Sequence, residues 1–238
     1  MKDTSKLDAK ERIINASIKL FSQKGYDATR VNEIADEAGV TKALIYYYFK
    51  SKEEILDHLV QSLLDSAASI AMDFLREIFM QMIKEGQMKM EEGRLRFANQ
   101  EAVEYFLQSA HKYIEQLLDF ALENRAIIRI LTLESLKGDK HQSKLYQMLK
   151  LGEDAPILKT ISQGEGEFYY TDDLKLFLFF FSIIPLVSFA AYFDDYQEIS
   201  SLSDSEMRSS FVRSVQIVLN SLISESSYLM HNAIKTRP

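Results

Sequence analysis

The chain has 238 residues, enough for one or two domains with a sizeable buried core, and its 47% hydrophobic content excludes an intrinsically disordered protein. It has no cysteine, which excludes disulfides and thiolate metal sites and suits a reducing cytoplasm. Its eight glycines and three prolines are too few for the many tight turns of an all-β protein, and its net charge of −7 argues at first against a nucleic-acid partner.

In the first two thirds of the chain, apolar residues recur at helical spacing and glycines separate the periodic segments. The pattern predicts helices over residues 8–24, 31–38 and 42–49. A long helix is predicted to begin at Ser51, because Ser51 and Glu54 have the spacing of a capping box. Further helices are predicted over 100–122, 125–136 and 143–151, with a short one at Pro156. No convincing strand is found, and the boundaries between residues 86 and 99 stay open, so we expect an all-α fold.

Two helices are predicted near the end of the chain, over residues 171–193 and 203–224, with a polar tail expected to fray after residue 224. Thr171 is a candidate N-cap for the first, and Ser203 with Glu206 forms a second capping box. Residues 176–193 form a segment without any charge, and its length is at the threshold for a membrane span. Three interrupting residues and the absence of a flanking basic cluster favour a buried or subunit-interface helix, with membrane contact as the alternative. We therefore expect a soluble, cytoplasmic protein that does not enter a membrane.

Charge is distributed unevenly along the chain. Residues 1–52 contain 10 of the 28 lysines and arginines but only 7 of the 35 acidic residues, so this part carries +3 and the remainder −10. The overall charge therefore does not exclude a nucleic-acid contact made by the first part.

Residues 31–49 have the pattern of a helix-turn-helix. Ala35 is small enough for a close helix crossing, and Gly39 can adopt the left-handed conformation that ends the first helix. Thr41 is placed to cap the second helix, and Ile45 is placed to pack between the two helices. The combined spacing of these residues is specific, whereas a match at any one of them is common.

The second helix of this motif has one face suited to a DNA groove. Successive residues turn by about 100°, so Ile45 and Phe49 face the core while Ala43 and Tyr47 point away from it. Lys42 and Tyr46 lie on one flank, and Leu44 and Tyr48 lie on the other. Tyrosine hydroxyls and a lysine can contact phosphates, and apolar groups can contact thymine methyls. Of the three consecutive tyrosines, we expect one ring to be buried and two to be exposed.

Residues 10–56 resemble the DNA-binding domain of the TetR (tetracycline repressor) family. The segments that carry the resemblance are Phe21–Thr29, Ile34–Val40 and Ile45–Glu54. The resemblance implies base-edge contacts from Lys42, Ala43, Leu44 and Tyr46. It implies contacts with the DNA backbone from Thr29 or Arg30, Thr41, Tyr47, Tyr48 and Lys52. Leu44 and Arg30 depart from the commonest residues of the family at their positions, and the recognition helix has no Asn, Gln or Arg, so the operator sequence is not predicted.

The same resemblance implies how the rest of the chain is used. Residues 1–52 would form a three-helix DNA-binding domain, and residues 53–238 a larger helical domain that binds a small, hydrophobic effector. The helices near 171–193 and 203–224 would make the chain a homodimer. Candidate residues for the effector pocket are aromatic or polar residues on the helices of this domain, for each of which ordinary core packing is the competing interpretation: Phe74, Tyr105, His111, Phe120, Phe177 and Phe181.

The resulting hypothesis is a DNA-binding transcriptional regulator and not an enzyme. It would be a homodimeric repressor that binds a double-stranded operator and is released by its effector. No cofactor is expected, and the wide spacing of the four histidines makes a metal site improbable. The alternative is a helical small-molecule-binding or enzymatic protein whose DNA-binding domain is non-functional.

Overall fold

A computed structural model describes residues 4–91, 94–135, 176 and 179–231, and these fall into two compact units. The first unit contains the described residues 4–66 and 124–135, and the second contains residues 67–123 and the described residues from 176 onward. The first unit extends past residue 52, where the sequence places the end of the DNA-binding domain. That functional boundary stays a prediction.

Helices dominate both units, and the predicted all-α fold class is confirmed. In chain order the helices are α1 (Thr4–Lys24), α2 (Val31–Ala38), α3 (Lys42–Tyr48), α4 (Lys52–Phe74), α5 (Gln81–Lys84), α6 (Gln100–Glu123), α7 (Arg125–Ser135), α8 (Ile184–Ala191), α9 (Phe193–Ser200) and α10 (Asp204–His231). Two π-helical turns, Leu75–Met80 and Phe179–Ile183, precede α5 and α8. The helices predicted over 143–151 and at Pro156 lie outside the described residues.

The first unit is built around α1, which packs against α2, α3 and α7. The apolar stripe of α1 is buried at Ile13 and Phe21, and Ile34 of α2 and Ile45 of α3 are buried in the same unit. Burial of a large apolar side chain contributes about 1.5–3 kcal/mol. This shared core therefore fixes where α2 and α3 lie on α1.

The second unit has its core where α4 passes through the first π-helical turn into α5. Phe79 and Met82 from this stretch pack with Met88, Ala102 and Phe106. Phe74 and Phe97 are half-buried against the same cluster. One end of α6 is held against the α4–α5 segment in this way.

A short antiparallel hairpin connects α5 to α6, and here the expectation of no strand is wrong. The strands β1 (Met88–Glu91) and β2 (Arg94–Phe97) pair with Met88 opposite Phe97 and Lys89 opposite Arg96. The physical reason is an alternation of period two, which places Met88 and Phe97 on the core side. The hairpin occupies the region where the helical pattern gave no clear boundaries.

The uncharged segment near residue 180 is helical from Phe179 to Ala191 and ends close to the predicted bound at residue 193. The predicted helix over 171–193 is described from Phe179 onward, where a π-helical turn leads into α8. The chain then bends by 68° before α9 begins at Phe193. One side packs within the unit, with Phe179, Val187 and Ala190 buried, whereas Phe180 and Phe181 are exposed.

The two predicted capping boxes are realised to different degrees. The Glu206 N–H donates to Ser203 Oγ (3.4 Å) and the Ser203 N–H donates to the Glu206 carboxylate (2.9 Å), so the box that begins α10 is confirmed. The Glu54 N–H donates to Ser51 Oγ (3.1 Å), but the Glu54 carboxylate accepts from the Lys50 N–H instead of the Ser51 N–H. α10 continues to His231 and does not end near the predicted residue 224.

Within the described part of the chain, no single helix has both the length and the apolar composition that a membrane crossing requires. Residues Phe179–Ala191 and Phe193–Ser200 meet that requirement only when counted together across their bend.

Candidate DNA-binding interface

The turn between α2 and α3 is fixed by Gly39. This residue has φ 61° and ψ 42°, the left-handed conformation expected from the sequence. Its N–H donates to the Asp36 carbonyl (3.2 Å), and the Val40 N–H donates to the Ala35 carbonyl (3.0 Å). These two bonds are those of a Schellman motif, which satisfies the last carbonyls of a helix and reverses the chain. Ile34, Ala35 and Ala38 are buried beside the turn.

The start of α3 is fixed by Thr41. Thr41 has extended backbone angles, and its Oγ1 accepts a hydrogen bond from the Leu44 N–H (3.2 Å), so its predicted role as N-cap is confirmed. Further along, Ile45 and Phe49 are both buried, as the face assignment predicts. The orientation of α3 is therefore set by a cap at one end and by two core side chains.

The opposite face of α3 is exposed and aromatic. Tyr46 and Tyr47 are 48% and 65% exposed, and Lys42 and Ala43 are exposed beside them. Tyr48 is half-buried with its ring edge-on to Tyr47 (centroids 5.1 Å apart), so two of the three tyrosines are exposed as predicted while the third is not fully buried. Leu44 is also half-buried. Such large aromatic side chains on a short helix are available to an external partner.

Two lysines of this unit are committed to ion pairs. Lys19 Nζ lies 2.6 Å from Glu37 Oε1, and Lys24 pairs with Glu33. The hydrogen bond from Lys24, followed by one from the Arg30 N–H, lowers the pKa of Glu33 below its ordinary value. The Arg30 side chain is exposed at the start of α2. The exposed cations Arg30, Lys42 and Lys50 lie at the start of α2, at the start of α3 and just after α3.

The structure places Thr29 and Lys52 differently from the other predicted contact residues. Thr29 is 1% exposed, and its hydroxyl donates to the Gly25 carbonyl (2.8 Å). Lys52 Nζ donates to the carbonyls of Tyr26 (2.7 Å), Thr29 (2.9 Å) and Asp27 (3.4 Å). Both side chains therefore stabilise the loop between α1 and α2, and the geometry offers no support for their predicted contacts with a DNA backbone.

Tyr26 lies at the centre of this loop. Its ring meets Phe21 edge-on (5.3 Å between centroids), and the Lys52 ammonium lies 4.2 Å from the ring centroid. Burial raises the pKa of Tyr26 to about 12, with smaller contributions from nearby carboxylates, of which Glu53 is the largest. The hydroxyl therefore stays protonated to a more alkaline pH than that of an exposed tyrosine.

One side chain that holds the turn between α2 and α3 was not predicted from the sequence. Arg12, on α1, donates through Nη1 to the carbonyls of Ala38 (3.0 Å) and Gly39 (3.3 Å). The sequence offers no local signal for this contact because 26 residues separate Arg12 from Ala38.

Five of the six candidate effector residues are described, and they lie on α4, on α6 and in the second π-helical turn. Phe74 stacks on Tyr113 (4.5 Å between centroids, 19° between planes), and the ring of His111 contacts the Gln216 side-chain amide. Phe120 is half-buried, Tyr105 and Phe181 are exposed, and Phe177 lies outside the described residues. Burial raises the pKa of Tyr113 to about 12. Sequence reasoning missed Tyr113, although its spacing on α6 from Phe106 was a usable signal.

No group of three or more histidine, cysteine or acidic side chains in the described ranges is arranged to hold a metal ion.

Comparison with known proteins identifies the family of the helix-turn-helix segment. Residues 13–59 match the family described as bacterial regulatory proteins, tetR family. This segment contains α2, the Gly39 turn and α3 in full. The N-terminal domain belongs to the tetR family. The resemblance inferred from residues 10–56 is therefore confirmed.

The curated relatives of the chain are named as HTH-type transcriptional regulators. The chain is 53% identical over 49 residues to YerO of Bacillus subtilis, an uncharacterized HTH-type transcriptional regulator. That alignment covers 21% of the chain but only 17% of YerO. The chain is 25% identical over 167 residues to IcaR of Staphylococcus aureus, the HTH-type negative transcriptional regulator of the biofilm operon icaADBC. This second alignment covers 70% of the chain and 73% of IcaR.

A solved structure extends the likeness in fold beyond the TetR-type domain. The transcriptional regulator FadR of Bacillus subtilis, determined in complex with stearoyl-CoA, matches with a TM-score of 0.52. The match covers 91% of the chain and 98% of FadR at 18% identity. At that identity the comparison concerns the fold.

Proposed function

We propose that the chain is a sequence-specific DNA-binding transcriptional regulator that acts as a homodimeric repressor. The observation that carries this proposal is the exposed face of α3. Two large tyrosine side chains there are open to a partner, while Ile45 and Phe49 hold the same helix on the core. A short rigid helix with an exposed polar-aromatic face fits the major groove, which is wide enough to admit an α-helix.

The residues of this face divide between two kinds of contact. Lys42, Ala43, Leu44 and Tyr46 would reach base edges. Arg30, Thr41, Tyr47 and Tyr48 would contact the DNA backbone, where hydroxyls and cations position a protein without reading sequence. The net charge of +3 on residues 1–52 and −10 on the remainder supports a single DNA-facing surface on this part of the chain.

The homodimer would form through residues of 171–193 and 203–224. Phe180 and Phe181 are exposed on the first segment, and Ile217 is 68% exposed on α10. An apolar face of this kind is typical of a subunit interface. Two-fold symmetry would then present two recognition helices to half-sites roughly 34–36 Å apart.

Release of the repressor would follow binding of a small hydrophobic effector in the second unit. Its aromatic side chains, among them Phe74 and Tyr113, suit an apolar ligand. The name of IcaR describes a negative regulator, and FadR holds stearoyl-CoA in its crystal structure. An effector can release the operator only if it binds the DNA-free conformation more tightly than the DNA-bound one.

The test begins with duplexes of about 30 base pairs, enough for two half-sites, taken from the region upstream of the protein's own gene and from a random library. Fluorescence anisotropy would measure the affinity of the purified protein for the enriched duplex and for a scrambled one. Tyr46→Ala should weaken specific binding about tenfold, the effect of losing a base-edge contact. Tyr47→Ala should weaken it by about tenfold or more, the effect of losing a hydrogen bond to a charged phosphate. Tyr196→Ala is the matched control, because Tyr196 is 60% exposed but lies on α9.

Equal affinity for the enriched and scrambled duplexes would contradict sequence-specific binding. An equal loss in the Tyr196→Ala control would contradict the assignment of the DNA-facing surface to α3. The effector is sought separately, by a thermal-shift screen of fatty acids and acyl-CoA thioesters, since a ligand of the folded state raises the melting temperature. A stabilising compound that leaves the DNA complex intact would contradict its role as the releasing effector.

A further inference from the structure

Both ends of α2 are held by cationic side chains from other helices. At its N-terminal side, Lys52 of α4 donates to three carbonyls of residues 26–29, the loop that leads into α2. At its C-terminal side, Arg12 of α1 donates to the carbonyls of Ala38 and Gly39. The two contacts bridge 23–27 residues of chain and involve different helices, so they are independent observations.

The donors of the Lys52 ammonium are used within the protein. An ammonium has three N–H donors and no acceptor, and three carbonyl oxygens lie within 3.4 Å of Nζ. The same group lies over the Tyr26 ring, where a cation is attracted to the aromatic face. A phosphate contact would require Lys52 to leave these acceptors, and the carbonyls would lose their donor.

Arg12, like Lys52, donates to main-chain carbonyls of the protein. Carbonyls at the end of a helix carry the negative end of its dipole, and a guanidinium placed there is favourable. The contact fixes the turn that precedes α3 by three residues. Together, Lys52 and Arg12 hold both ends of the helix against which the recognition helix packs.

We propose that Lys52 is a positioning residue for DNA binding rather than a phosphate ligand, and that Arg12 has the same role at the other end of α2. The inference rests on the proposed DNA-binding function. Lys52 ties the start of α4 to the α1–α2 loop, so loss of its ammonium would misplace the recognition helix without removing a charge from the DNA-facing surface.

The salt dependence of binding separates the two roles. Each phosphate contact that is lost reduces the slope of log affinity against log salt by about 0.9. Lys52→Met keeps the aliphatic stem over Tyr26 but removes the donors. We expect it to weaken binding to the enriched duplex about five- to thirtyfold with the slope unchanged, and Lys52→Arg to restore affinity to within about threefold. Arg30→Met is the matched control, and its slope should fall by about 0.9 per protomer.

A measurement on the unmodified protein covers the case in which Lys52→Met does not fold. Acetylation of lysines by an N-hydroxysuccinimide ester, followed by peptide mass spectrometry, reports how accessible each ammonium is. Lys52 should react more slowly than the exposed Lys42 in the free protein, and addition of DNA should protect Lys42 while the rate at Lys52 stays the same.

Three results would overturn the positioning role of Lys52 while leaving the DNA-binding function intact. These are a reduced salt slope in Lys52→Met, unchanged affinity in that variant, and strong protection of Lys52 that appears only when DNA is added. Absence of any specific complex with the unmodified protein would instead overturn the proposed function, and the positioning role with it.

Discussion

Substitution of Gly39 by alanine tests whether the turn between α2 and α3 depends on backbone conformation alone. Gly39 has φ 61°, a region that costs an L-residue with a Cβ roughly 1–2 kcal/mol. Alanine recovers about 0.4–1 kcal/mol because it restricts the unfolded chain. A Cβ at this position would lie 3.4 Å from Arg12 Nη1, an ordinary contact with the end of a flexible side chain, so steric overlap adds little.

The expected net loss for Gly39→Ala is about 1 kcal/mol in the free energy of opening α2 and α3. Because a factor of ten corresponds to 1.4 kcal/mol, amide hydrogen exchange in peptides covering residues 31–49 should become about fivefold faster. Gly39→Asn is the control, since asparagine adopts the left-handed conformation more readily than alanine and should lose less. Peptides from α6 should be unaffected in both variants.

The reasoning would be refuted if Gly39→Ala exchanged at the rate of the unmodified protein, or if Gly39→Asn were destabilised as much as Gly39→Ala. The first result would show that the turn tolerates a Cβ without backbone strain. The second would show that the loss comes from the space around Gly39 rather than from its φ angle.

Three further changes test other parts of the structure. Thr41→Ala should lower the free energy of unfolding by about 1 kcal/mol because the Leu44 N–H loses its acceptor, whereas Thr41→Ser should retain most of the stability. Urea unfolding followed by circular dichroism measures both variants, and equal losses would contradict the role of Thr41 as N-cap. Stability should fall as pH rises from about 10 towards 12, because burial raises the pKa of Tyr113 to about 12 and the folded chain keeps a proton that the unfolded chain releases. Tyr113→Phe should reduce that decline, and an unaltered alkaline profile would speak against it. Ser203→Ala should cost about 1 kcal/mol of stability at neutral pH. The variant should also lose less stability on acidification than the unmodified protein, because the Ser203 hydrogen bonds lower the pKa of Glu206 in the folded state. Acid sensitivity equal to that of the unmodified protein would argue against the capping box.

Local signals in the sequence were sufficient for the helix-turn-helix. The predicted bounds 31–38 agree with α2 residue by residue, because Gly39 stops the helix through its own conformation and Thr41 starts the next through its own side chain. The burial of Ile45 and Phe49 follows from helical periodicity in the same way. Each of these features depends on residues within about one turn of each other.

Features that depend on distant residues were not predictable in this way. The ammonium of Lys52 looked available for DNA because nothing near it in the sequence competes for its donors. Its acceptors, among them the Tyr26 and Thr29 carbonyls, lie 23–26 residues earlier and become close only when the first unit folds. The Thr29 hydroxyl is a different case, since its acceptor, the Gly25 carbonyl, is only four residues away but is brought within reach by the fold of the loop between them. The hairpin of β1 and β2 is different, since its alternation at Met88, Met90, Leu95 and Phe97 was visible but too short to outweigh the helical context.

The charge of residues 1–52 overstates the cationic surface that this part of the chain can offer to DNA. Arg12 and Lys52 donate to main-chain carbonyls, and Lys19 and Lys24 pair with glutamates, so four of its ten basic side chains already serve the fold. Arg30 and Lys42 are exposed next to the aromatic face of α3. Binding would therefore combine few phosphate contacts with the shape and hydrogen bonding of the tyrosines. It should depend on salt less steeply than the count of cations suggests, since each phosphate neutralised contributes about 0.9 to the slope.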